Sequence, residues 1–203
     1  MECLQPYYNN IMEVGLDEAG RGPLIGRVYA GAVIWPQDKT NPLIVDSKKL
    51  TPKKRELALQ WIYSNVKHWG VGYADEKEID KINILNATKL AMDRAIQDIK
   101  KKDPTIVIKN LIIDGCGWEK KFNSYDVTSI VKGDSKYLSI AAASIIAKQY
   151  HDMHIYDLIK LDPTLDTRYN LSSCMGYPTK KHIEGIQTHG SSEYHRKSFR
   201  GVI

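Results

Sequence analysis

Cysteine is scarce in this chain. Cys3, Cys116 and Cys174 are odd in number and scattered, which fits reduced cytosolic thiols and argues against a disulfide framework or a cysteine-rich zinc site. His151 and His154 stand three apart with no cysteine nearby, and they read as a surface helix pair rather than a metal site. Long apolar runs are also missing. The longest clean one, Ile140 to Ala147, is far too short to cross a bilayer, so no membrane partner is expected. Met1 to Asn10 has neither a basic start nor an apolar stretch, so no secretion signal is expected and a cytoplasmic location is. Internal repeats, low-complexity segments and obvious linkers are absent. A strong charge bias is absent too: 29 basic and 24 acidic residues leave +5, which is compatible with a polyanionic partner without establishing one. The 203 residues suffice for one domain with a full core. We read residues 1–203 as that domain, with 150–203 as a C-terminal extension.

What is present is organised around Gly15-Leu16-Asp17-Glu18-Ala19-Gly20-Arg21-Gly22-Pro23. It starts as a strand, with Ile11, Met12, Val14 and Leu16 mostly apolar, and then meets two adjacent carboxylates. A core strand buries such groups cheaply only with a partner, and a cation is one. The glycines let the backbone approach something closely with N–H groups free to donate. Asp-Glu at a strand end also suits a solvated turn. A dinucleotide-binding loop is excluded by context, because such a loop opens a helix, whereas Val28 to Trp35 reads as another strand.

The remaining elements follow in order. Thr51-Pro52 reads as N-cap and first helical residue, and Leu57, Ala58, Trp61, Ile62 and Val66 give that helix an apolar face. Gly70 to Ala74 is a short strand. Ile84 to Ile99 repeats at helical spacing behind an Asn83 cap. Val107 to Ile113 and Tyr125 to Val131 are further strands. Gly133-Asp134-Ser135 starts a long helix whose Ala141, Ala142 and Ala143 allow close packing on a sheet. The last section is loop-rich, with a short helix near Lys180 to Thr188. Three early strands, two later ones and intervening helices predict an α/β fold with one open mixed sheet.

Two more acids recur at element ends. Asp114 follows Leu111-Ile112-Ile113, and Asp134 opens the long helix. If the strands carrying Asp17 and Asp114 are neighbours, Asp17, Glu18, Asp114 and Asp134 converge and repel one another unless cations neutralise them. Oxygen-only ligands favour hard ions such as Mg²⁺ or Mn²⁺, and paired ions suit in-line attack on a phosphodiester. Taken singly, Asp134 also suits a helix cap and Asp114-Gly115 a plain turn. Arg21, Lys48, Lys49, Lys132, Lys136, Lys180 and Lys181 lie near the acids in sequence and suit phosphate contacts, with Tyr177 available to stack. For Lys53 to Arg55 a solvated basic face is the better reading.

These residues resemble the ribonuclease HII family, the type 2 ribonucleases H. The matching pieces run in the family's order: the Gly15 to Pro23 stretch, Asp46-Ser47-Lys48-Lys49-Leu50, Glu78-Ile79-Asp80 with Asn83-Ile84-Leu85, Ile113-Asp114-Gly115, Lys132-Gly133-Asp134-Ser135, Ile140 to Lys148, Gly176-Tyr177-Pro178-Thr179-Lys180-Lys181-His182, and His195-Arg196-Lys197-Ser198-Phe199. The resemblance implies an RNase H-like fold, a mixed five-stranded sheet flanked by helices with a C-terminal helical extension. It implies cleavage of the RNA strand of RNA/DNA hybrids and of single ribonucleotides embedded in duplex DNA, leaving 5′-phosphate and 3′-hydroxyl ends, with two divalent ions, Mg²⁺ or Mn²⁺. Asp17, Glu18, Asp114 and Asp134 match the family's catalytic, metal-binding acids. Gly20, Arg21 and Gly22 match the loop that reads the ribose 2′-OH, and Tyr177 matches the tyrosine that works with it. The 2′-OH is the group that marks RNA against DNA.

Some positions depart from the family. Arg27 stands where proline is usual, and Gln149-Tyr150-His151-Asp152 replaces a common Val-x-Arg-Asp. The related HIII type usually carries lysine in place of Arg21 and an extra N-terminal domain. A monomer is expected, and only four residues follow Phe199, so no sliding-clamp-binding tail is. Two rival readings fit the same fold: a DNA junction nuclease, which the Gly-Arg-Gly loop with Tyr177 opposes, and a non-catalytic hybrid-binding module, which the full set of acids opposes.

Overall fold

The computed structural model describes residues 4–9 and 12–202. Its centre is a five-stranded sheet built from β1 (Val14–Ala19), β2 (Val28–Ile34), β3 (His68–Ala74), β4 (Asn110–Asp114) and β5 (Asp126–Ile130), in the order β3-β2-β1-β4-β5. The first three strands form an antiparallel meander. β4 runs parallel to β1, with Leu16 opposite Ile113, and β5 runs parallel to β4. Every residue of β2 is buried, as a strand covered on both faces requires. Ile11 lies outside the described residues. Val107 is 65% exposed and precedes β4, which begins only at Asn110.

Helices cover both faces. One carries α2 (Glu76–Lys102), whose Ala87, Ala91 and Ala95 let it lie close to β2 and β3 over Val28, Ala30, Ala32 and Ala74. The other carries α1 (Pro52–Asn65) and α3 (Leu138–Leu161), packed through Ala58, Leu59, Ile62, Ala142 and Ile146. The small residues of α3 do what their size suggests: a Cβ on Gly31 of β2 would sit 2.2 Å from the Ala143 carbonyl oxygen, so helix and strand touch backbone to backbone. Beyond α3 come α4 (Thr164–Tyr169), α5 (Leu171–Cys174) and α6 (Lys180–His189). With Leu24, Ile25, Ile155 and Leu158 they bury their own cluster around Leu165, Tyr169, Leu171 and Ile186. No helix of the described residues is long and apolar enough to cross a membrane.

Several boundaries differ from the sequence expectation. α1 buries Arg55, Ala58, Leu59 and Ile62 while Leu57 is exposed, because Leu57 is off the stripe that these i, i+3, i+4 positions form. α2 starts at Glu76, not after Asn83. Asp75 caps it in a reciprocal box with Glu78, and Asn83, at φ 64°, is a kink inside it whose side chain caps the following turn through Asn86 N–H (3.1 Å). Gly133–Ser135 is a separate 3-10 turn, and α3 begins only at Leu138. His151 is buried rather than a surface residue. Arg55 is buried too, with Nη2 donating to Asp152 Oδ2 at 2.7 Å and Nε to Gln149, so the solvated-face reading fails there.

Candidate active site

The site lies at the ends of the parallel strands. Asp17 and Glu18 close β1, and Asp114 closes its parallel neighbour β4, so the register brings Asp17 and Asp114 to the same sheet edge. Asp134 follows β5 in the 3-10 turn, reached through Lys132 in the left-handed region. The loops hold these acids in place. The Glu18 N–H donates to Asp17 Oδ1 (2.7 Å), the Gly133 N–H to Asp114 Oδ1 (2.7 Å) and the Ser135 hydroxyl to Asp134 Oδ1 (3.2 Å). Asp134 therefore does not cap α3, whose N-cap is Tyr137 without a side-chain bond.

The acids repel one another. Burial pushes the Asp17 carboxyl well above its usual range, and the charges of Glu18 and Asp114 push it further. Burial also raises Glu18, against the opposing pull of Arg21, whose Nη1 donates to Glu18 Oε1 at 3.1 Å. Asp134 is raised by burial and by the charges of Asp46 and Asp114. Lys48 feels the same field from the other side: burial would lower its pKa, but Asp17, Asp46 and Asp134 outweigh it and raise it. Among the described residues no three acidic, histidine or cysteine side chains close into a cage that would hold a metal alone. Such an open, oxygen-only group suits a hard ion that keeps waters and takes phosphate oxygens from a substrate.

Next to the acids opens a cleft of about 390 Å³ lined by Asp17, Glu18, Gly20, Arg21, Gly22, Ser47, Lys48, Ser144, Lys148 and Tyr177. It gathers chain segments far apart in sequence. Gly20 has φ +89°, and a Cβ there would meet the buried His151 ring at 2.4 Å, so the loop turns tightly over α3. A Cβ on Gly22 would come 3.1 Å from the Tyr177 ring, so loop and ring share one wall. Tyr177 is 40% exposed, with Lys148 Nζ 6.0 Å from its ring centre. Lys49 is exposed and is not part of the lining. Three lining residues went unremarked as site residues from sequence: Ser47, whose hydroxyl meets that of Ser144 (2.7 Å), Ser144 itself, and Lys148. The signal was available, since Ser144 and Lys148 stand i, i+4 on one helix face.

The family model described as Ribonuclease HII matches residues 14–202. The Ribonuclease HII of Phocaeicola vulgatus is 47% identical over 197 residues, covering 97% of this chain and 93% of its own. The crystal structure of the ribonuclease H2 from Pyrococcus horikoshii superposes with a TM-score of 0.69 at 25% identity, over 93% of this chain and 94% of that one. A structure of Bst-RNase HIII in complex with Mn²⁺ shares the fold with a TM-score of 0.73 at 17% identity, over 93% of this chain and 67% of that one. On a family match that runs from the first strand to the C-terminal segment, this chain belongs to the ribonuclease HII family and is an endoribonuclease of that type, acting on RNA/DNA hybrids.

Proposed function

We propose that Asp17, Glu18, Asp114 and Asp134 hold divalent cations, Mg²⁺ or Mn²⁺, beside a scissile phosphodiester, while Gly20, Arg21, Gly22 and Tyr177 read the ribose 2′-OH at the RNA–DNA junction. The observation that carries this is the cleft itself, which sets the carboxylates of β1, the glycine loop and Tyr177 along one continuous wall. The donor set supports the metal reading: only oxygens are offered, and three of the acids are held above their usual pKa by burial and by one another, a strain that a cation relieves. When bound, such ions neutralise charge on the phosphate and make water a nucleophile at neutral pH.

The chain's own residues do the rest. Asp17, buried on the central strand and flanked by the other acids, is placed to be shared between two ion positions. Lys48 and Lys148 set positive charge along the path of the nucleic acid backbone. The Arg21 and Gly22 N–H groups face substrate, where no side chain at Gly22 blocks the minor groove. Residues 150–203 act as the substrate-binding extension by supplying Tyr177. Products carry 5′-phosphate and 3′-hydroxyl ends. We expect single embedded ribonucleotides to be cut as well as long hybrids, and the protein to act as a monomer.

Gel analysis of a DNA duplex bearing one ribonucleotide, beside the same duplex in pure DNA, tests this. Cleavage only at the ribonucleotide, lost with a chelator and restored by Mg²⁺ or Mn²⁺, is expected. Cutting of pure DNA at a similar rate would instead favour a DNA nuclease of the same fold.

A further inference from the structure

We propose that His195-Arg196 is the positioning element of the substrate-reading surface, with Arg196 fixing the Gly20–Gly26 loop and His195, through His182, fixing the Tyr177 turn. The inference rests on the reading of that loop and Tyr177 given above.

Arg196 is fully buried, and among the described residues it has no carboxylate partner. Its fork is spent on backbone carbonyls instead. Nε donates to Gly26 (2.8 Å), Nη1 to Pro23 (2.7 Å) and Arg21 (3.2 Å), and Nη2 to Gly20 (2.7 Å). Main-chain bonds run alongside, from Arg196 N to Leu24 O and from Gly26 N to Tyr194 O. Burial pulls the guanidinium down to about 9, still charged at neutral pH. The consequence follows from peptide geometry. In a trans peptide the N–H points opposite to the preceding carbonyl. Carbonyls of Gly20 and Arg21 drawn toward Arg196 therefore turn the N–H groups of Arg21 and Gly22 away from it. Among the described residues neither donates to a protein acceptor. The next outward N–H, that of Leu24, donates to the Gly176 carbonyl (2.8 Å), directly beside Tyr177.

His195 works on that second half. The Ser192 N–H donates to His195 Nδ1 (3.0 Å), which leaves the ring proton on Nε2. That proton faces His182 Nε2 (3.1 Å), and His182 Nδ1–H then donates to the Tyr177 carbonyl (3.0 Å). Every donor meets an acceptor only when both rings are neutral. Burial favours this state by lowering both, His195 to about 4. Two consecutive residues thus fix both sides of one reading surface, across about 170 residues of sequence for Arg196.

The test is a double-mutant cycle in the full chain. The kcat/KM for a DNA duplex with one ribonucleotide is divided by that for a long RNA/DNA hybrid. It is measured for the wild type, Tyr177→Ala, Arg196→Lys and the double variant, with circular dichroism and Tm to confirm folding. Lysine keeps the charge but cannot span the same carbonyls. We expect Tyr177→Ala and Arg196→Lys each to lower the ratio about tenfold or more, and the double variant to fall no further, since coupled groups are non-additive. A lower ratio for Tyr177→Ala with an unchanged ratio for folded Arg196→Lys, or fully additive losses, overturns the positioning role alone. An unchanged ratio for Tyr177→Ala sinks the reading of Tyr177 and this inference with it. If Arg196→Lys does not fold, His182→Phe, which keeps an aromatic ring and removes the bond to the Tyr177 carbonyl, decides by the same ratio once its fold is verified by circular dichroism.

Discussion

Asp17 is the residue on which the chemistry and the folding energetics conflict most. Its folded carboxyl is raised by burial and by neighbouring charge, so its neutral form is the one the metal-free fold tolerates. The sign follows: its contribution to stability is fully present below the unfolded value near 4 and is lost as pH rises through the higher folded value. Metal-free protein should therefore lose Tm on passing upward through that interval. At neutral pH Asp17→Asn should raise Tm by about 2 °C or more, and added Mg²⁺ should stabilise the wild type more than the variant. Scanning fluorimetry with and without a chelator checks both, and a lower Tm for Asp17→Asn would refute the burial argument. The two loop glycines separate in a similar way. Gly20→Ala combines a positive φ with a clash against His151 and should cost about 2 kcal/mol in urea denaturation. Gly22→Ala, with no such backbone demand, should leave stability within about 0.5 kcal/mol while lowering cleavage at a single ribonucleotide.

At the scale of elements, the kink in α2 makes its own demand. Asn83 holds φ 64° and ψ 163°, a region that side chains other than glycine occupy with strain, and its side chain caps the next turn. Asn83→Ala should cost about 1–2 kcal/mol, and Asn83→Gly less, because glycine recovers the strain while losing the cap. Equal losses in denaturant titrations would mean that the backbone angle carries no energy. The same helix shows what was legible in the sequence. The apolar repeat from Ile84 to Ile99 revealed the packed part, but Asp75 and Glu78 also carried a readable capping box, and the asparagine downstream drew the boundary away from it. Strands were legible because β-branched runs ended at acids and glycines. Arg55 and His151 were not, because burial of each depends on partners from another element, such as Asp152, 97 residues from Arg55. Arg196 was the least legible of all, since its partners are backbone carbonyls, which leave no trace in side-chain identity. The acids Asp17, Glu18, Asp114 and Asp134 were named from their places at element ends, and the sheet supplies the neighbouring strands that this needed. Lys49 was favoured by its position beside Lys48, yet in the fold only Lys48 faces the cleft.

For the whole molecule, a modest net charge of +5 matters less than where the cations stand. Arg21, Lys48 and Lys148 line the cleft with Asp17 and Glu18, so nucleic acid binding should release counterions and weaken as salt rises. Hybrid affinity measured with Ca²⁺, as a non-cleaving ion, should fall by about tenfold or more between 50 and 200 mM salt; an affinity indifferent to salt would contradict this. The central claim is that the acids gathered at the ends of β1 and β4 are the metal-holding catalytic groups. Single-turnover cleavage of an RNA/DNA hybrid in saturating Mg²⁺ by Asp17→Asn and Asp114→Asn tests it most directly, with circular dichroism to verify the fold. Each variant should be slower by at least about a thousandfold, several kcal/mol of barrier, whereas near-normal turnover by either folded variant would remove that residue from the metal site.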